Sequence, residues 1–401
     1  MEVSNLRVED ICDFVGGSQP PKSEFINELK PGYVRLIQTR DYKTDSFPTF
    51  ILENSTKKFC DEQDVMIGRY GPPIFQICRG LKGAYNVALL KAKPKKGIDT
   101  EFLYYFLKQE SVFQYVDKLS ARTGGQTGVD LVSLNKYPVR IPIEIKDQKK
   151  VVASLYAIDK KIALNNRINA ELEAMAKTLF DYWFVQFDFP DTKGKPYKTT
   201  GGAMVFNSTL KREIPEGWSD KILSDIANIT MGQSPEGSSY NEEGNGTIFF
   251  QGSTDFGWLF PTIRQYTTAP ARMAKRGDIL LSVRAPVGDM NIANSDCCIG
   301  RGLAALNSKT GFNGFLFYVM KYFKQIFDRR NSEGTTFGSI TKDDLHGLSL
   351  AYPTFDLLKK YDDIVSSYNK MIFEKSLENR DLINLREWLL PMLMNGQVTV
   401  K

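Results

Sequence analysis

The chain has 401 residues, more than one hydrophobic core usually organises, so at least two domains are expected. A hydrophobic fraction of 42% and a charged fraction of 25% exclude a largely disordered chain. The net charge of +5 permits a polyanionic partner without demanding one.

The N-terminal stretch MEVSNLRVEDICDFVGG carries acidic residues and no continuous apolar run, which argues against a secretory signal. No stretch has the roughly 18 apolar residues that a spanning helix needs, so the expectation is a cytoplasmic protein with no membrane association. The five cysteines have no CxxC spacing and read as reduced thiols.

Proceeding along the chain, the sequence repeats itself at an offset of about 211 to 217 residues. EDICDFVGGSQPP (9–21) faces SDIANITMGQSPE (224–236), and LIQTRDY (36–42) faces FFQGSTDF (249–256). DVMIGRYGPP (64–73) answers DILLSVRAPV (278–287), and FLYYFLK (102–108) answers FLFYVMK (315–321). A Gly/Thr-rich loop follows in each copy, ARTGGQTG (121–128) or NSEGTTFGS (331–339), and a short strand ending at Pro142 or Pro353 closes it. Six matches in one order predict two homologous domains of mixed α and β structure.

After each domain, apolar residues recur at alternating spacings of 4 and 3. The first series runs Val151, Leu155, Ile158, Ile162, Asn165, Asn169, Leu172, Ala176, Leu179, Trp183. The second runs Leu357, Tyr361, Ile364, Tyr368, Met371, Lys375, Glu378, Leu382, Leu385, Leu389, Met392. Such spacing predicts two coiled-coil helices of about 35 residues, each about 50 Å long. Both seams turn polar near their midpoints, as antiparallel partners would, so that Asn165 and Asn169 meet Lys375 and Glu378.

The expected fold class is therefore α+β: two homologous domains separated by two long antiparallel helices, with pseudo-twofold symmetry. The predicted boundaries are 1–145 for the first domain, 146–189 for the first helix, 190–217 for a slack Gly/Pro/Lys linker, 218–355 for the second domain, and 356–401 for the second helix and tail.

Motifs that carry chemistry are scarce. GGSQPPKS (16–23) approaches a phosphate-binding loop, but Pro21 stands where glycine is required. The one histidine, His346, cannot by itself make a triad or a zinc site and reads as a surface or cap residue. Asp191 and Lys193 echo an acidic-x-Lys nuclease triplet, the enzyme alternative, but fall in the linker with no strand around them.

What recurs instead is a set of polar loop residues in both copies. Gln38, Thr39 and Arg40 face Gln251, Ser253 and Thr254; Arg69 faces Arg284; Arg122, Thr123 and Gln126 face Thr335 and Thr336. Arg, Gln, Ser and Thr are the side chains that hydrogen-bond base edges, so these are the candidate DNA-binding residues. No catalytic or metal-ligating residue is expected.

At the end of the first predicted helix, LFDYWFVQFDFP (179–190) holds six aromatic residues in twelve. Phe180, Tyr182, Phe184 and Phe187 supply either a domain core or a docking face for a partner subunit.

With that run, the IPEGW segment (214–218), the ending LREWLLPMLMNGQVTV (385–400), and Pro142, Gln148 and Ile158–Ile162, the chain resembles the specificity subunits of Type I restriction-modification systems. It departs from that pattern in lacking a Pro-x-Gly-Trp opening to the first repeat and the acidic-Gln pair before the second helix.

The resemblance implies two target-recognition domains, each reading half of a split double-stranded DNA sequence, and a chain that is not itself an enzyme. It also implies two docked methyltransferase subunits and further restriction subunits, with S-adenosylmethionine, ATP and magnesium bound by those partners and no cofactor bound by this chain.

Overall fold

The computed structural model describes residues 2–398 apart from 72, 120, 124, 125, 285 and 333–338. The chain forms two compact units: Met1–Asn165 with Leu377–Lys401, and Asn166–Ser376. The division runs through the middle of both long helices, so each unit owns half of each helix.

In the first unit the opening strand Val3–Arg7 pairs antiparallel with Pro138–Pro142, tying the start of the domain to its end. Cys12–Gly16, Leu89–Pro94, Val65–Gly68 and Ile77–Cys78 make one four-stranded sheet; Phe50–Leu52, Tyr33–Ile37, Gly83–Tyr85 and Phe59–Cys60 make a second. Tyr33–Ile37 and Gly83–Tyr85 run parallel, with Leu36 opposite Ala84.

The helix Thr100–Leu107 is capped by the Asp99 carboxylate, which accepts from Phe102 N–H at 3.1 Å. Its buried side chains, Phe102 to Leu107, form a core with Val151, Val152 and Leu155 of the first long helix and Leu393 and Met394 of the second.

The second unit repeats the core of this plan. Ser219–Ile222 pairs with Ser349–Tyr352. A four-stranded sheet holds Ala227–Met231, Leu303–Ser308, Ile279–Ser282 and Met290–Ile292. In a five-stranded one, Thr247–Phe250 runs parallel to Cys297–Ile299.

The first long helix spans Ile145–Phe180 and continues as a π-helical turn, Asp181–Val185; the second spans Phe355–Met394 and runs through Pro391 into its last turn. Pairing is antiparallel within each unit. In the first, Asn165 Nδ2 donates to Glu378 Oε2 and to Asn379 Oδ1, both at 2.9 Å. In the second, Asn169 Nδ2 donates to Ser376 Oγ at 3.3 Å, and Tyr361 O–H to the Ala176 carbonyl at 3.2 Å.

The first helix buries the predicted seam. The second buries its predicted seam at Leu357 and Tyr361 and rotates away from it further along, where Met371 and Leu385 are exposed while Val365, Ile372 and Asn379 are buried. The side chains meeting Asn165 and Asn169 are therefore Glu378, Asn379 and Ser376, with Lys375 left out.

Gln148 shows why the start of the first helix carries an amide. It is 1% exposed; its Nε2 donates to the Gly97 and Pro142 carbonyls and its Oε1 accepts from Asp99 N–H at 2.7 Å. One side chain thus staples the domain's last strand and the cap of the Thr100–Leu107 helix to the long helix.

Segment 190–217, expected to be slack, is ordered. Met204–Asn207 and Arg212–Pro215 form an antiparallel hairpin, and Tyr197 stacks on Phe189 at 4.6 Å. Among the described residues no helix is long and apolar enough to cross a membrane.

Candidate nucleic-acid interface

Gln38, Thr39, Arg40, Arg69 and Gln251 lie on or next to a frame that both units build with the same backbone bonds. In the first unit Asn86 N–H donates to Ile37 O at 3.0 Å, Leu89 N–H to Asn86 O at 3.1 Å, and Arg69 N–H to Ala88 O at 2.8 Å. Gly17 N–H and Ser18 N–H donate to Leu89 O and Tyr85 O, and Val129 N–H to Arg69 O.

In the second unit Gly300 N–H donates to Phe250 O at 2.8 Å, Leu303 N–H to Gly300 O at 3.0 Å, and Val283 N–H to Gly302 O at 2.9 Å. Gly232 N–H and Gln233 N–H donate to Leu303 O and Ile299 O, and Ile340 N–H to Val283 O. The six bonds superimpose one for one.

This frame explains one glycine in each repeat. A Cβ at Gly17 would lie 2.0 Å from the Asn86 carbonyl oxygen, and one at Gly232 would lie 2.1 Å from that of Gly300. No side chain fits where two backbones approach so closely.

The frame also corrects one residue pairing. Arg69 and Val283 make the same bonds, so the counterpart of Arg69 is Val283, and Arg284 corresponds to Tyr70. Sequence comparison put the two arginines together because both precede a proline, but adjacent strand residues face opposite ways.

Gln38 and Gln251 do correspond, since each follows the residue whose carbonyl is bonded by the frame. Gln38 Nε2 donates to Thr49 Oγ1 at 3.3 Å, and Gln251 Nε2 donates to Ser234 Oγ at 3.1 Å. Thr39 lies against Gly68, its methyl 3.5 Å from where a Cβ would be.

Arg40 is exposed and donates to Thr49 Oγ1 at 3.4 Å. Beneath it Asp41 is buried and caps the turn by accepting from Gln38 N–H at 2.7 Å. Burial pushes the Asp41 carboxyl above its ordinary range against the pull of that bond, Arg35 and Arg40. Asp255 is likewise buried in the second unit, where it accepts from Arg264 Nε at 2.9 Å, and Ser253 and Thr254 precede it on the same short turn.

Of the Gly/Thr loops, residues 121–123 and 126–128 form a hairpin whose second strand pairs with Tyr70–Gly71, next to Arg69. For Arg122, Thr123 and Gln126 only the backbone is described. Thr335 and Thr336 lie outside the described residues.

Two residues at this face escaped sequence reasoning, Ser234 and Arg301. Ser234 Oγ joins Gln251 to the backbone N–H of Arg301, which it accepts at 3.2 Å. The Gly-Ser-Gln-Pro and Gly-Gln-Ser-Pro strings at 17–20 and 232–235 were the available signal.

The aromatic run proves to be core at three of its four docking candidates. Phe180, Phe184 and Phe187 are buried, whereas Tyr182 is 48% exposed. Phe184 packs edge-on against Phe315 at 4.9 Å and Tyr361 at 5.0 Å, and Phe187 against Trp218 of the IPEGW segment at 5.3 Å. The π-turn makes this possible: the extra residue per turn rotates Phe184 and Phe187 inward, and Phe187 then takes a left-handed backbone, φ 67°. A docking role at this run is left to Tyr182 alone.

Asp191, the nuclease candidate, accepts from the backbone N–H groups of Lys193 and Lys195, both at 2.8 Å, as a turn-forming aspartate does. Among the described residues no group of three His, Cys, Asp or Glu side chains is placed to hold a metal ion.

Comparison with known proteins agrees with this duplicated frame. The Type I restriction modification DNA specificity domain matches residues 2–174 and again 215–379. A putative Type I restriction enzyme MjaX specificity subunit of Methanocaldococcus jannaschii is 32% identical over 330 residues, covering 79% of this chain and 72% of that protein. The MjaIX specificity subunit of the same organism is 26% identical over 429 residues, covering 98% and 93%.

The crystal structure of an S subunit from M. genitalium shares the fold, with a TM-score of 0.61 at 15% identity, covering 98% of this chain and 96% of that one. The chain belongs to the Type I restriction-modification specificity family, the DNA-recognising and non-catalytic subunits of those systems.

Proposed function

We propose that each unit reads one half of an asymmetric, split double-stranded DNA sequence. The face around Gln38, Thr39, Arg40 and Arg69 serves one half, and the face around Gln251, Ser253, Thr254 and Ser234 the other. The observation that carries this reading is one hydrogen-bonded frame built twice and dressed with different polar side chains. Identical frames present side chains in one geometry, and unlike side chains select unlike bases.

The two long helices set the separation of the half-sites. Two methyltransferase subunits and further restriction subunits dock on the chain in the cytoplasm, and S-adenosylmethionine, ATP and magnesium are bound by them.

The test is selection from a duplex pool randomised over about 20 positions, using the full chain co-expressed with its methyltransferase. Two unlike blocks separated by an unselected gap are expected, with affinity falling steeply as salt rises. Equal recovery of all sequences at matched salt overturns the reading.

Inserting seven residues in each helix keeps the 4-3 seam and lengthens it by about 10 Å, so the gap should widen by about three base pairs. An unchanged gap overturns the spacer role.

A further inference from the structure

At one matched tip of the frame, each unit carries a side chain that makes no hydrogen bond, ion pair or ring contact among the described residues. In the second unit it is Arg301, at the tip of the turn Gly300-Arg301-Gly302. In the first it is Val87, at the tip of Asn86-Val87-Ala88. The six matched backbone bonds make the two tips equivalent. We infer that this tip is a base-reading position, that Arg301 reads a guanine in the half-site of the second unit, and that Val87 offers the other half-site only an apolar contact.

The Arg301 tip is held more tightly than an exposed turn requires. Its own N–H donates to Ser234 Oγ at 3.2 Å, which fixes it beside Gln251. A Cβ at either Gly300 or Gly302 would lie 2.8 Å from the Gln251 carbonyl oxygen, so glycine on both sides lets the tip press onto the Gln251 backbone.

The guanidinium, by contrast, is exposed and makes no hydrogen bond, ion pair or ring contact among the described residues. Two other arginines of this unit are engaged: Arg264 with Asp255 at 2.9 Å, and Arg276 over the Phe373 ring at 4.8 Å. A rigid backbone that projects an unpaired planar fork suits two-point recognition of guanine O6 and N7.

Val87 is 39% exposed on the equivalent tip. It has neither donor nor acceptor, so the one base feature it can favour is the thymine methyl group.

This inference rests on the DNA-reading function proposed above, and the experiment separates the two. Duplex selection is run with the full chain and its methyltransferase for wild type, Arg301→Ala, Arg301→Lys and Val87→Ala. The melting temperature of each variant is recorded to confirm folding.

Wild type is expected to require guanine at one position of one block. Arg301→Ala should lose that preference about ten- to a hundredfold while every other position keeps its own. Arg301→Lys, which keeps the charge and loses the fork, should lose most of it too. Val87→Ala should soften a thymine preference in the other block alone.

A uniform loss of affinity in Arg301→Ala that Arg301→Lys restores would assign Arg301 to phosphate and overturn the inference. An unchanged selection profile would also overturn it. Absence of any selected sequence in wild type would overturn the proposed function itself.

Discussion

Ile37 and Phe250 accept the same frame bond from Asn86 and Gly300, yet the cores beneath the two frames are closed by different chemistry. In the second unit the end of the first long helix closes the core with aromatic rings. Phe180, Trp183, Phe184 and Phe187 meet Trp218, Phe315, Tyr318 and Tyr361.

In the first unit the end of the second long helix contributes Leu393 and Met394, and an ion network lies beside them. There Asp159 takes Tyr105 O–H and Arg386 Nη1, both at 2.7 Å, and Arg79 bridges to Glu101 at 2.6 Å. The frame is thus repeated as backbone while its support differs, and substitutions should act on one unit at a time.

The largest effect is expected from Phe184→Ala, which empties the centre of the aromatic cluster and should cost about 4 kcal/mol. Trp183, Trp218 and Trp258 all belong to the second unit, so the tryptophan fluorescence transition in urea should move to lower denaturant. Tyr182→Ala, two residues away and exposed, should leave that transition within about 0.5 kcal/mol. Equal shifts in the two variants would mean that the run is not divided between core and surface.

Gly232→Ala strikes the frame itself. With the new methyl 2.1 Å from the Gly300 carbonyl oxygen and backbone on both sides, the loss should reach about 3 kcal/mol, and selection by the second unit's half-site should vanish. Gly16→Ala is the control, for it has nothing within 4 Å and no left-handed φ. If Gly232→Ala is tolerated as well as Gly16→Ala, the close approach is not what the glycine is for.

Much of this was legible in the sequence because it depends on local pattern. The duplication and the two long helices follow from order and spacing. Gln38 and Gln251 were paired correctly because each directly follows an apolar strand.

Arg69 and Arg284 were mispaired because a one-residue step is invisible without the partner strand that fixes it. The second seam drifted for a related reason: with apolar side chains at both 364 and 365 and at both 371 and 372, spacing alone does not choose the buried one. Phe180, Phe184 and Phe187 could not be sorted from Tyr182 because the π-turn that rotates them leaves no mark in composition. Arg301 was missed because a lone arginine between glycines looks like any turn.

Asp159→Asn is expected to have a smaller effect and one that depends on pH. Burial pushes the Asp159 carboxyl up, but the bonds from Tyr105 and Arg386 and the charges of Lys108 and Arg386 outweigh it and hold it below the ordinary carboxylate range. A depressed folded-state pKa gives stability that is complete above the unfolded value of about 4 and is lost as pH falls below it.

The variant should therefore lose about 2 kcal/mol near neutrality and show a flatter acid limb. The reporter is Trp388, the first unit's one tryptophan. A variant whose acid limb matches wild type would show that the network does not anchor the first unit.

The smallest expected effect bears most directly on how the two faces differ. Ser234 Oγ is shared between the Gln251 amide and the Arg301 backbone, so Ser234→Ala removes one acceptor from both without opening a cavity in the core. Its stability cost should be no more than about 1 kcal/mol, because the freed groups are exposed and water replaces the hydroxyl.

Its effect on selection should be larger than its effect on folding, since Gln251 loses the partner that orients it. The second half-site should degenerate at the positions read by Gln251 and Arg301, and the first should be unaffected. Equal loosening of both half-sites would mean that Ser234 supports the complex as a whole and not the reading face of one unit.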